Sequence, residues 1–137
     1  MISVDLAREL RDAGLRWTPQ SGDRFVVDER NMDDEVFVLS SMTIEVYEYP
    51  SGPVIRFNGT TEWALDSLDQ DDALWLPSEA QLRAALGGTF RRLELLGGTH
   101  RVETVVPGRR DAPQMFAHTD PAEAYGLALL DLLRQIS

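Results

Sequence analysis

Thr43-Ile44-Glu45-Val46-Tyr47-Glu48-Tyr49-Pro50-Ser51-Gly52-Pro53-Val54-Ile55-Arg56-Phe57 decides the fold class. Its first seven residues alternate, with Ile44 and Val46 on one side and Thr43, Glu45 and Tyr47 on the other, as in a half-buried strand. Pro50 to Pro53 is turn chemistry, and a second β-branched run follows at once. A link this short joins antiparallel strands, because parallel neighbours need a crossover of a dozen residues or more. Upstream, Arg24-Phe25-Val26-Val27 and Val36-Phe37-Val38-Leu39 repeat the pattern, and the acids between and before them read as loops.

Helical periodicity brackets these strands. Ser3 to Leu15 places Leu6, Leu10 and Ala13 on one face, with Ser3 to cap its start and Gly14 to close its end. Ser78 and Gln81 form a capping box ahead of Leu82 and Leu86, and Leu74-Trp75-Leu76-Pro77 reads as the staple in front of it. Thr89–Leu96 and Thr99–Val106 form a hairpin about Gly97-Gly98, and Gln114 to Ala117 adds a short strand. Asp120-Pro121-Ala122-Glu123 is a helix start, and Tyr125, Leu129, Leu132, Leu133 and Ile136 follow as an apolar stripe. The spacing of 60–68 favours a helix, with a strand as the alternative. The expected fold is α+β: one mainly antiparallel sheet of about five to seven strands, packed by an N-terminal and a C-terminal helix, with one or two short helices between. At 137 residues the chain reads as a single domain, 1–137.

Charge is distributed unevenly. Residues 1–72 hold 16 acids and 6 arginines, residues 73–137 hold 7 of each, and the net charge is −10. All 13 basic residues are Arg and there is no Cys, which removes Schiff-base and phosphate-loop lysines, disulfides and thiolate metal sites. No stretch of about 18 apolar residues is present, and Met1-Ile2-Ser3-Val4-Asp5 lacks the basic start of a secretory signal, so the expected location is the cytoplasm, away from membrane.

Few residues suggest chemistry. The acids Asp23, Asp28, Asp33, Asp34 and Glu35 are expected to face solvent, as a solvated loop or a partner-binding face; no calcium-loop pattern supports a metal. His100 and His118 lack metal-ligand spacing, there is no nucleophile elbow, and the Gly pairs do not form a phosphate loop. Arg91, Arg92, Arg101, Arg109 and Arg110 make a local basic edge, but an overall charge of −10 opposes nucleic acid. An acidic edge, within the fold or on a second copy, is the more economical partner. Trp17, Trp63 and Trp75 read chiefly as core anchors.

Three stretches carry a resemblance: Phe57 to Ser67 (Phe-Asn-Gly-Thr-Thr-Glu-Trp-Ala-Leu-Asp-Ser), Trp75 to Arg83 (Trp-Leu-Pro-Ser-Glu-Ala-Gln-Leu-Arg) and Asp120 to Tyr125 (Asp-Pro-Ala-Glu-Ala-Tyr). With the opening Leu6-Ala7-Arg8-Glu9-Leu10-Arg11 they resemble a family of small actinobacterial single-domain proteins of unknown function, sometimes labelled as pilus-assembly proteins. That label implies a nucleotide-binding ATPase, and this chain lacks the glycine-rich loop, its lysine and the length for one. The resemblance implies a compact domain and supplies no catalytic residue.

The expectation is a non-enzymatic cytoplasmic interaction or accessory module with an acidic N-terminal half, without cofactor, partnered by another protein or by itself as a homodimer. The alternative is a small-molecule-binding domain or weak hydrolase, with a pocket lined by Trp63, Trp75 and Tyr47 and a carboxylate from Glu62 or Asp66.

Overall fold

The computed structural model describes residues 1–27, 32–39, 45–49, 52–56, 67–69, 73–108 and 110–136. The chain is α+β. Its contacts gather into two compact units where the sequence reading expects one core: residues 17–76 form one, and residues 1–16 with 77–137 form the other. Residues 17–76 hold 13 acids and 3 arginines, so this unit carries the whole net charge of −10, while the other balances ten against ten.

In the discontinuous unit, helix α1 (Val4–Asp12) is capped by Ser3 Oγ, which accepts from the Leu6 N–H at 3.2 Å. Helix α2 (Glu79–Leu86) has the full capping box: Ser78 Oγ accepts from Gln81 N, and Gln81 Oε1 accepts from Ser78 N. Strands β7 (Phe90–Leu96), β8 (Thr99–Val106) and β9 (Arg110–His118) form an antiparallel sheet in that order. The β7–β8 turn needs positive φ at both central residues, and Gly97 (57°) and Gly98 (80°) supply it. Helix α3 (Pro121–Ile136) packs on β8, β9, α1 and α2, burying Ala124, Tyr125, Ala128, Leu129 and Leu130.

The approach of α1 to α3 depends on Gly126. A Cβ added there stands 2.7 Å from Leu6 Cδ2 and 3.3 Å from Ile2 Cδ1. Gly126→Ala is expected to lower stability by about 1 kcal/mol, overpacking outweighing the helix-propensity gain of about 1 kcal/mol. In a Leu6→Ala background the same change is expected to stabilise. Denaturant midpoints of the four variants check the reversal, and a Gly126→Ala effect independent of residue 6 contradicts it.

The α3 start is tied to the N-terminal segment. Asp120 Oδ1 accepts from Ala122 N at 2.9 Å, its Oδ2 accepts from the Met1 amine at 3.1 Å, and Glu123 accepts from Ser3 N. Burial opposes ionisation of Asp120, yet the bonds from the amine and Ala122, with the charges of the amine and His118, hold its carboxyl below the usual carboxylate range.

The contiguous unit contains β1 (Arg24–Val27), β2 (Met32–Val38), β3 (Glu45–Tyr49), β4 (Gly52–Arg56), β5 (Ser67–Asp69) and β6 (Ala73–Leu76). They make two antiparallel three-stranded sheets, β2-β1-β6 and β3-β4-β5. Phe25, Val27, Leu39 and Ala73 form a core cluster with Trp17 and Phe37 packed against it.

Several expectations are corrected. The nine described strands lie in three sheets of three instead of one of five to seven, because alternation marks a strand without choosing its partners. Asp33, Asp34 and Glu35 belong to strand β2 and not to a loop, in the stretch where the β1–β2 register shifts between Phe25 and Val27. Ser67 and Leu68 pair with Arg56 and Ile55 as strand, against the favoured helix; residues 60–66 lie outside the described residues. Trp75 sits within β6, opposite Phe25. Among the described residues the middle of the chain holds α2 and a 3₁₀ turn at Gly87–Thr89, within the one or two short helices expected.

Candidate interaction surface

The sequence-derived candidates do not converge on one described site. Asp23, expected at the surface, is 5% exposed. Its Oδ2 accepts from Trp17 Nε1 and from Gln20 N, both at 2.9 Å, so it organises the turn that leads into β1. Trp75 is half-buried and stacks on Trp17, with ring centroids 6.5 Å apart and planes 10° from parallel. Its Nε1 is buried and, among the described residues, without a hydrogen-bond partner. Asp33, Asp34 and Glu35 are described only as backbone of β2, and Tyr47 only as backbone of β3. Glu62, Trp63 and Asp66 lie outside the described residues.

The fold does bring the two histidines together, directly opposite on β8 and β9. His118 Nδ1 accepts from Asp120 N at 3.0 Å. His100 Nδ1 is buried without a partner among the described residues. Their separation of eighteen residues concealed this pairing, which depends on the β8–β9 register. Among the described residues no three His, Asp or Glu side chains gather as metal ligands do.

An open groove of about 680 Å³ runs beside α2, lined by Glu79, Arg83, Ala84, Gly87, Phe90 and Tyr125. The Arg83 guanidinium lies 4.6 Å above the Phe90 ring centroid, and Phe90 meets Tyr125 at 5.7 Å. Burial pushes the Tyr125 phenol up; Arg83 opposes this and Glu79 adds to it. With its cation already seated on an aromatic face, the groove presents little directed polar chemistry.

Strand β7 continues from that groove and, among the described residues, is the strand that exposes the most large apolar side chains, Leu93, Leu95 and Leu96. Opposed residues share a face of a sheet, so Leu93 lies with Val102 and Phe116, and Leu95 with His100 and His118. This is the side on which α3 buries Val102, yet Leu93 and Leu95 are 39% and 61% exposed. On the other face Leu96 is 53% exposed and Met115 is also exposed.

Charge on that second face alternates. Arg92 opposes Glu103 and Glu94 opposes Arg101. The Arg92 guanidinium bridges Glu103 at 2.8 Å and Glu94 at 3.3 Å. Part of the basic edge expected from sequence is therefore neutralised by acids of its own sheet. The surface can bury leucines and pair charges.

No helix among the described residues is long and apolar enough to cross a membrane. No protein-family model matches the chain, and neither a curated protein nor a solved structure matches it.

Proposed function

We infer that the protein is a non-enzymatic cytoplasmic interaction module which works by protein contact through the β7–β8 hairpin. The observation that supports this reading is the exposure of Leu93, Leu95 and Leu96 on a sheet edge. An exposed apolar edge strand is a template for another chain, because its outward N–H and C=O groups are unpaired. The acidic contiguous unit contributes solubility and electrostatic steering. The resemblance to the small actinobacterial family enters the same reading as an accessory role, and its nucleotide-binding implication is left aside.

Incorporation of a photo-crosslinking residue at Leu95 in cells tests the reading, with one at exposed Arg134 as the control. A discrete protein adduct from position 95, absent from 134, is expected. No adduct at 95, or the same adducts at both positions, overturns the assignment.

A further inference from the structure

We propose that the occupant of the β7 edge is a second copy of the chain, paired antiparallel about a two-fold axis at Leu93 to give a continuous six-stranded sheet. The proposal rests on the contact reading above and adds the partner and the register.

Three observations select this arrangement. The sheet has two edges, β7 and β9, and they differ. β9 carries Pro113, which cannot donate to a neighbouring strand, whereas β7 has no proline and exposes three leucines. After the register shift between Phe90 and Arg92, β7 pairs regularly from Arg92 to Leu96, and this segment is the edge better able to add a strand.

The second observation is charge. Pairing β7 with itself about Leu93 sets Arg92 opposite the partner's Glu94, and Glu94 opposite the partner's Arg92. Each strand already alternates in sign with its neighbour, Glu103 against Arg92 and Arg101 against Glu94. Self-pairing extends both rows without a like-charge contact, reading acid, base, acid, base from one β8 to the other and the reverse in the next row. Shifting the register by two residues, so that Arg92 faces Arg92 or Glu94 faces Glu94, creates a like-charge pair, which cross-strand energetics disfavour.

The third observation is the leucines. The same register places Leu93 opposite its own symmetry mate and Leu95 diagonal to it, on the face shared with Val102 and Phe116. Four leucines, two from each copy, then cover one another. An isologous contact of this kind closes at the dimer and leaves no free β7 edge.

The absence of cysteine makes the register testable in the full chain. Leu93→Cys is expected to yield a disulfide-linked dimer under mild oxidation, since its mate lies directly opposite. Leu95→Cys, whose mate lies about four strand residues away, or roughly 13 Å, is expected to stay uncrosslinked. Light scattering of the purified protein should give twice the chain mass, falling to the monomer on dilution. Arg92→Glu and Glu94→Arg should each be monomeric with cooperative melting retained, and an equimolar mixture of the two should restore the dimer, because both cross-pairs become acid against base.

A wild-type chain that is monomeric at every concentration overturns the proposal. So does equal crosslinking of the two cysteine variants, or a dimer indifferent to both charge reversals. If either charge variant fails to fold, the cysteine pair decides alone. Monomeric wild type with a Leu95 adduct to a different protein refutes self-pairing and leaves the contact reading intact; absence of any adduct refutes the contact reading itself.

Discussion

A chain lacking residues 122–137 is expected to lose the folded state of the β7-β8-β9 sheet altogether. The deletion strips Tyr125, Leu129 and Leu130, each 5% exposed or less, from their places against α1, α2 and the sheet. Loss of one buried large side chain costs on the order of 2–5 kcal/mol, so three cost roughly 6–15 kcal/mol. A whole domain is stable by only about 5–15 kcal/mol. The bonds that join the N-terminal segment to Asp120 and Glu123 lose Glu123 as an acceptor and the helix that orients Asp120. Amide exchange at Val102 and Thr104 is the direct measurement, because both are buried on β8 and report on this unit alone. Persistent protection there would show that α3 is an appendage.

The second large effect belongs to Asp23→Ala. With the carboxylate removed, Trp17 Nε1 and Gln20 N lose the acceptor each reaches at 2.9 Å. A buried donor left unsatisfied costs about 1–3 kcal/mol, so the expected loss is on the order of 2–4 kcal/mol. Asp23→Asn keeps a side-chain oxygen and is expected to cost about 1 kcal/mol. Trp17→Phe removes one donor and also disturbs the stack on Trp75, so a double-mutant cycle with Asp23→Ala should show strong coupling. Chemical denaturation followed by tryptophan fluorescence checks all of these. An Asp23→Ala variant as stable as wild type would return this residue to the role of a solvated acid.

What the sequence made legible is local chemistry. The Ser78 to Gln81 capping box, the Gly97-Gly98 turn and the Asp120-Pro121 helix start each close within a few residues, and each stands in the structure as read. Strands β1 and β8 also match to the residue, because turn residues bound both. The failures concern partners far along the chain. Nothing near Asp23 announced that Trp17 would fold back to it, and a cluster of acids in sequence suggested one exposed face where the structure has a buried carboxylate and a strand. The hairpin leucines were legible as strand residues. Their exposure depends on α3 lying over β8 and β9, a choice made some thirty residues downstream. Arg92 and Arg101 read as a basic patch until the register put Glu103 and Glu94 opposite them.

The insertion of one unit into the sequence of the other sets an order of assembly. Residues 17–76 are contiguous, and their ends meet when Trp17 stacks on Trp75 and β1 pairs with β6. Every contact of that unit is therefore available as soon as its own sixty residues are present. The discontinuous unit has no such freedom: Ser3 bonds Glu123 across 120 positions, and α1 packs on α3. Closing so long a loop delays the reward of the contacts it permits, which makes non-local pairings slow to form. During synthesis α1 emerges well before α3, so its Leu6 lacks the Gly126 surface it packs on until α3 has been made. The hairpin leucines are synthesised before α3 as well, so the strand proposed to pair with a second chain is open to one before its own unit has closed.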